Sequence, residues 1–192
     1  GTHGIFLSGG GEPTVYPHFI ELINLISGRI GYISLQTNGF NLKPIFSNCD
    51  IFRKINIIAV SIYGTDSKTF EKTTNRSSIF MDKILNNISE LIKTKKINNI
   101  NTLITAKILI TPQNYLSVSS MISYCEEIGF DAVVLRKSGD LEAGFEKDPR
   151  KVLSNEQQES LVKLLKPLCG KQYVTNFIEN VVNREAVYYG AK

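Results

Sequence analysis

The residues best suited to do chemistry lie in the run Leu7-Ser8-Gly9-Gly10-Gly11-Glu12-Pro13-Thr14. Three glycines in a row leave backbone carbonyls and amides open to close approach, and the proline stiffens the exit. The one carboxylate among them can accept charge-assisted hydrogen bonds from an ammonium group. An amino-acid-like ligand suits that combination. The glycines do not have the spacing of a dinucleotide fingerprint, and no Gly-Lys-Ser/Thr ending completes a phosphate loop. Glu12 would also repel a phosphate. The alternative is a tight strand-to-helix turn carrying a surface glutamate.

Other polar residues are candidates on weaker grounds. Lys107 and Arg136 each end or line a strand, where a cation could pair with a ligand carboxylate or could be structural. Asn38 and Asn114 follow strand ends, the place where asparagine side chains satisfy turn backbone. Ile108 or Ile110 could flank a flat base, although aliphatic residues in strands are usually core. His3 and His18 gather no acids or thiols around them, and Cys49, Cys125 and Cys169 lie far apart, so no metal set is assigned. Nor is any residue assigned a catalytic role.

These residues need elements to position them. Gly4 to Leu7 reads as a strand running into the glycine loop, and Pro17 opens a helix with Phe19, Leu22, Ile23 and Ile26 on one face. Ile30 to Thr37 is a second strand stopped by Asn38-Gly39, before a short polar-apolar stretch through Phe46. Ile55 to Tyr63 is a third strand, followed by a helix on which Met81, Ile84, Leu85, Ile88, Leu91 and Ile92 recur at helical spacing. Leu103 to Ile110 is a fourth strand, and the helix after it places Val118, Met121, Ile122 and Cys125 inward and ends near Gly129. Ala132 to Leu135 is a fifth strand, Gly139 to Pro149 a loop, Asn155 to Leu168 a helix, and Tyr173 to Val182 a further helix. Strands alternating with helices predict an α/β fold with a parallel sheet, and their apolar character predicts burial on both faces. Open doubly wound sheets and barrels share this order of elements.

Composition narrows the class. A chain of 192 residues with 42% hydrophobic content can bury one core. A net charge of +4 is too small and too dispersed for a specific nucleic-acid surface, and the basic run near Lys93 to Lys96 suits a helix C-terminus. No apolar run reaches the ~18 residues of a membrane span, and no signal peptide is visible. The separated cysteines suit a reducing, cytoplasmic setting.

Gly10-Gly11-Glu12-Pro13 after a strand resembles the motif with which radical S-adenosylmethionine (SAM) enzymes hold the amino group of SAM. The likeness continues in order. Gln36-Thr37-Asn38-Gly39 is similar to a Thr-Asn-Gly strand end in the branches that build cofactors or modify peptides. Val60-Ser61-Ile62-Tyr63-Gly64 resembles a strand whose serine approaches the SAM ribose or carboxylate, with Tyr63 where an aspartate is frequent. Phe70-Glu71-Lys72, Arg76, the helix from Met81 to Ile92, Lys107 to Asn114 and Val133-Val134-Leu135-Arg136 keep the family's order, so the resemblance spans about residues 5 to 165.

The resemblance implies a partial (β/α)6 TIM-like barrel represented by its second to sixth strands over 1–170, with 171–192 as a helical extension. It implies that Gly10, Gly11, Glu12 and Pro13 hold the SAM ammonium, that Thr37, Asn38 and Ser61 meet its polar groups, and that Lys107 and Arg136 pair with acidic groups. In the family a 4Fe-4S cluster held by three cysteines upstream of this loop, fed by an external electron donor, cleaves SAM reductively to a 5′-deoxyadenosyl radical that takes hydrogen from a substrate. Only nine residues precede Gly10 and none is cysteine, so the cluster ligands are expected outside this chain, which alone would be inactive. The substrate, peptide or small molecule, is open. A competing reading is a non-catalytic relative that binds SAM or another nucleoside, or a partner protein. Another is an unrelated open-sheet nucleotide binder.

Overall fold

A computed structural model of the chain describes residues 1–138 and 152–168. Five strands alternate with helices: β1 (Gly4–Leu7), α1 (Phe19–Ser27), β2 (Tyr32–Thr37), α2 (Lys43–Phe46), α3 (Cys49–Lys54), β3 (Ile57–Ile62), α4 (Ser67–Thr74), α5 (Ser78–Ile97), β4 (Leu103–Ile110), α6 (Val118–Ile128), β5 (Ala132–Lys137) and α7 (Asn155–Leu165). The expected loop from Gly139 to Pro149 and the expected helix from Tyr173 to Val182 lie outside the described residues, as does Cys169.

Local chemistry explains the boundaries. The Asp66 and Ser77 side chains accept from Thr69 N and Ile79 N to start α4 and α5, and Lys95 and Lys96 occupy the last turn of α5, where the helix dipole favours cations. A capping box of Ser154 and Gln157 starts α7. Left-handed Gly129 closes α6. The short helices α2, α3 and α4 fall in segments for which the apolar pattern names no element. Each follows a local signal that an apolar-periodicity reading passes over: Pro44 in the first turn of α2, and the Asn48 and Asp66 caps of α3 and α4.

The strand order settles what the sequence left open. All pairings are parallel and the order is β1-β2-β3-β4-β5, without reversal. A doubly wound sheet must reverse direction at a switch point; right-handed crossovers that never reverse put every helix on one face, as in a barrel. The fold is α/β, a parallel five-stranded sheet with surrounding helices, consistent with a partial TIM-like barrel.

The two faces therefore differ. Ile33, Leu35, Ile58, Val60, Ile62, Ile104, Ala106, Ile108, Ile110, Val133 and Leu135 are buried against the helices in one continuous core. The alternate residues Tyr32, Ser34, Gln36, Ala59, Lys107, Leu109, Val134 and Arg136 are half-buried or exposed. Burial on both faces, expected from apolar strands, is continuous only on the helix-backed one; on the other Ser61, Thr105 and Ala132 are buried while the residues just named are not, and β2 already carries the alternation in Tyr-Ile-Ser-Leu-Gln-Thr. At the N-terminal strand ends, Asp131 pairs with Lys95 and accepts from Ile104 N, and Asn56 accepts from Ile33 N. That end is stitched for stability, leaving the C-terminal ends for a ligand.

Candidate functional site

The glycine loop leaves the C-terminal end of β1 and turns into a short 3-10 segment, Pro13–Val15, with Glu12 as its N-cap. The Glu12 carboxylate is the hub. Its Oε1 accepts from Thr14 N at 3.2 Å, the Thr14 hydroxyl at 2.7 Å and the Thr37 hydroxyl at 2.8 Å, while Oε2 accepts from Asn38 N at 2.6 Å. One carboxylate thus locks the β1 loop onto the end of β2. Asn41 adds a second tie, donating from Nδ2 to the Thr14 carbonyl at 2.7 Å.

Gly10 and Gly11 stand apart from the other turn glycines. Gly9 has φ 146° and Gly39 has φ 80°, conformations that side chains rarely adopt, and a Cβ on Gly39 would also press on Ile84 and Val60. Gly10 and Gly11 lie outside that region, and a Cβ on either would meet no atom within 4 Å. Nothing inside the described chain requires them to be glycine. Their bare backbone fits a ligand that approaches closely.

The Thr37 hydroxyl also accepts from Gly39 N, and the Asn38 side chain accepts from Phe40 N, so both residues shape the turn at the end of β2. Asn87 on α5 secures the same turn by donating to the carbonyls of Gly39 and Phe40. Ser61 lies on the open face of β3, only 8% exposed, and its hydroxyl has no hydrogen-bond partner among the described residues. Such an orphaned buried hydroxyl fits a ligand contact. Asn114 instead serves its own turn, accepting from Thr111 N and donating to the Leu109 carbonyl.

Lys107 is in register with Ser61, and its ammonium donates to Gln36 Oε1 at 2.7 Å across the open face. Leu109 pairs with Arg136, which places that arginine on the same face as Lys107. Burial, reinforced by the nearby Arg136 charge, holds the Lys107 ammonium below the ordinary lysine range. Gln36 was quoted in the sequence only as part of a motif; its alternation with Leu35 and Thr37 was the available signal. Ile108 and Ile110 are fully buried on the helix-backed face, which removes them as candidates to flank a base.

Cys125 is core, its thiol pushed up to about 12 by burial. Among the described residues no three His, Cys, Asp or Glu side chains gather as a metal set, and no helix is long and apolar enough to cross a membrane. The loop and the β2 turn lie at the C-terminal strand ends, and Ser61, Lys107 and Arg136 lie on the open face, an arrangement that suits a zwitterion with its ammonium at the loop and its carboxylate toward the cations.

Known proteins give the same direction. No curated protein matches the chain. Among solved structures it resembles archaeal TYW1 (TM-score 0.56, 20% identity, 86% of this chain and 50% of that one). It also resembles Streptococcus suis SuiB bound to its precursor peptide SuiA (0.59, 19%, 96% and 36%). A third is anSMEcpe with bound AdoMet, which is SAM, and the Cp18Cys peptide (0.59, 17%, 96% and 49%). The chain thus spans half or less of these proteins, and the likeness concerns the fold. The radical SAM superfamily domain matches residues 1–113, more than half of the sequence, beginning ahead of the glycine loop and ending just past β4. The chain belongs to the radical SAM superfamily.

Proposed function

We propose that this chain is the SAM-holding part of a radical SAM enzyme, with residues 1–170 as barrel and 171–192 leading out of it. The observation that carries the reading is the glycine loop: Glu12 accepts from four donors, two in its own loop and two at the end of β2, while Gly10 and Gly11 are open for reasons no internal contact supplies. In this reading the carbonyls of Gly10 and Gly11 accept from the SAM ammonium, and the fixed negative charge of Glu12 favours it. Ser61, Lys107 and Arg136 receive the carboxylate and ribose hydroxyls, and Pro13, Thr37 and Asn38 keep the loop and turn in place.

The family implies SAM together with a 4Fe-4S cluster, whose chemistry when bound is reductive cleavage of SAM to methionine and a 5′-deoxyadenosyl radical that abstracts hydrogen. The chain's own task is to orient SAM and keep water away. Cluster ligands, an external electron donor and a peptide or small-molecule substrate belong to the parent protein, and the chain alone is inactive in this reading. A cytoplasmic setting agrees with it. SAM and peptide complexes among the similar structures lend support.

Calorimetric titration of SAM into the purified chain tests this. Glu12→Gln weakens the charged contact and is expected to lower affinity roughly ten- to a hundredfold, from about 1.5–3 kcal/mol. Gly11→Val should do the same while leaving the melting temperature in place, since no internal atom is crowded. SAM binding that ignores both variants would sink the reading.

A further inference from the structure

A recess of about 410 Å³ opens beside Asn38, between the end of β3, α4 and the start of α5. This volume is in the range of small-ligand pockets. Its walls are aromatic: Phe40 from the β2 turn, Tyr63 next to the end of β3, Phe70 from α4 and Phe80 from α5, with Thr73 of α4 and Ile84 of α5 also lining it. Apart from Asn38, none of the residues assigned above to SAM lines it. Tyr63 stands where the resembled pattern often has aspartate.

Charge tells what the recess would take. The Lys83 ammonium lies 3.8 Å from the Phe40 ring centroid, and the Arg76 guanidinium 5.8 Å from that of Phe80. Neither cation forms an ion pair among the described residues. Of the nearby acids, Asp66 caps α4 and Glu71 accepts from Ser78 N, while Asp82 is exposed beside Lys83 on α5. Arg76, which itself lines the aromatic recess, and Lys83, which rests on the ring of its wall residue Phe40, suit a flat ring bearing an anionic group.

We propose that this recess is the specificity pocket for the substrate, receiving an aromatic ring that carries a negative charge at its edge. The proposal rests on the SAM-holding reading for the word substrate; the binding chemistry stands without it. Such a ring can come from a free aromatic acid or from an aromatic side chain flanked by acidic residues in a peptide.

The probes are 2-naphthoate, its neutral carboxamide, and an acetylated Glu-Phe-Glu tripeptide amide, each titrated into the chain by calorimetry, with SAM titrated separately. The acid is expected to bind at least tenfold tighter than the carboxamide, and Arg76→Gln with Lys83→Gln to abolish that preference. Ile84→Trp, which fills the recess, should remove binding of every probe and leave SAM affinity unchanged; Thr73→Tyr fills it from α4 should the first variant fold poorly. A tighter tripeptide would identify a peptide source, a tighter naphthoate a free acid, and either supports the proposal. Absence of any preference for the acid, or equal loss of SAM and probe on filling the recess, would overturn it. Loss of SAM binding in Glu12→Gln bears on the other reading alone.

Discussion

The two ends of the sheet's functional edge handle charge in opposite ways. Beside β1 and β2, the Glu12 carboxylate is met by four donors from its own chain, two of them backbone N–H groups. Beside β4, the Lys107 ammonium has the neutral Gln36 oxygen as its hydrogen-bond partner and the like charge of Arg136 close by. The first end is satisfied within the chain itself, which preorganises the loop that meets SAM in the proposed reading. The second sets two like charges close together beside a neutral hydrogen-bond partner. In the proposed reading, a rigid anchor at one end and a pair of cations at the other orient a zwitterion between them.

Each end can be broken separately. The largest effect is expected for Glu12→Ala, which strips the partner from the Thr37 and Thr14 hydroxyls and from two backbone amides, costing about 2–4 kcal/mol by urea unfolding. Thr37→Val should cost about 1–2 kcal/mol, since the buried hydroxyl both donates to Glu12 and accepts from Gly39, whereas Thr37→Ser should restore most of it. A double-mutant cycle sharpens the contrast: Glu12 and Thr37 should couple more strongly than Lys107 and Gln36.

The β4 end should respond with the opposite sign. A lysine whose folded pKa is depressed binds fewer protons folded than unfolded, so stability rises with pH from that lowered value up to the ordinary one near 10.5. Lys107→Met should therefore raise the melting temperature at neutral pH by about 1–2 °C, because solvent screening holds the gain under about 1 kcal/mol. The gain should vanish above pH 10.5. A variant that melts lower at pH 7 would mean Lys107 is structural and the two ends are alike. The smallest effect concerns the margin of the sheet. β1 pairs only with β2 among the described strands, so the chain should self-associate weakly at high concentration, and Phe6→Lys, at an exposed position of β1, should reduce this in sedimentation.

Much of this layout is visible in the sequence, for reasons that differ by residue. Glu12 is visible because a lone carboxylate inside a glycine run has few uses, and the core of α5 because six apolar residues repeat at helical spacing. Cys125 and Asn114 also sit where local chemistry suggested, one in the core and one serving its turn. The internal role of Glu12 is not visible, because its Thr37 and Asn38 partners lie on the next strand, joined to it only by parallel pairing. Helices α2 to α4 are too short for periodicity to emerge. The aromatic recess is hidden for the same reason as the Glu12 clamp: four elements each contribute a ring, and no sequence window holds them together.

The unreversed strand order has a consequence for how the molecule comes into being. Each strand's earlier neighbour has already left the ribosome when it emerges, so the sheet can grow from one margin in the order of synthesis, with no strand waiting for a distant partner. The partners of the Glu12 clamp lie within 26 residues of one another, and the cationic end of the described sheet is synthesised later.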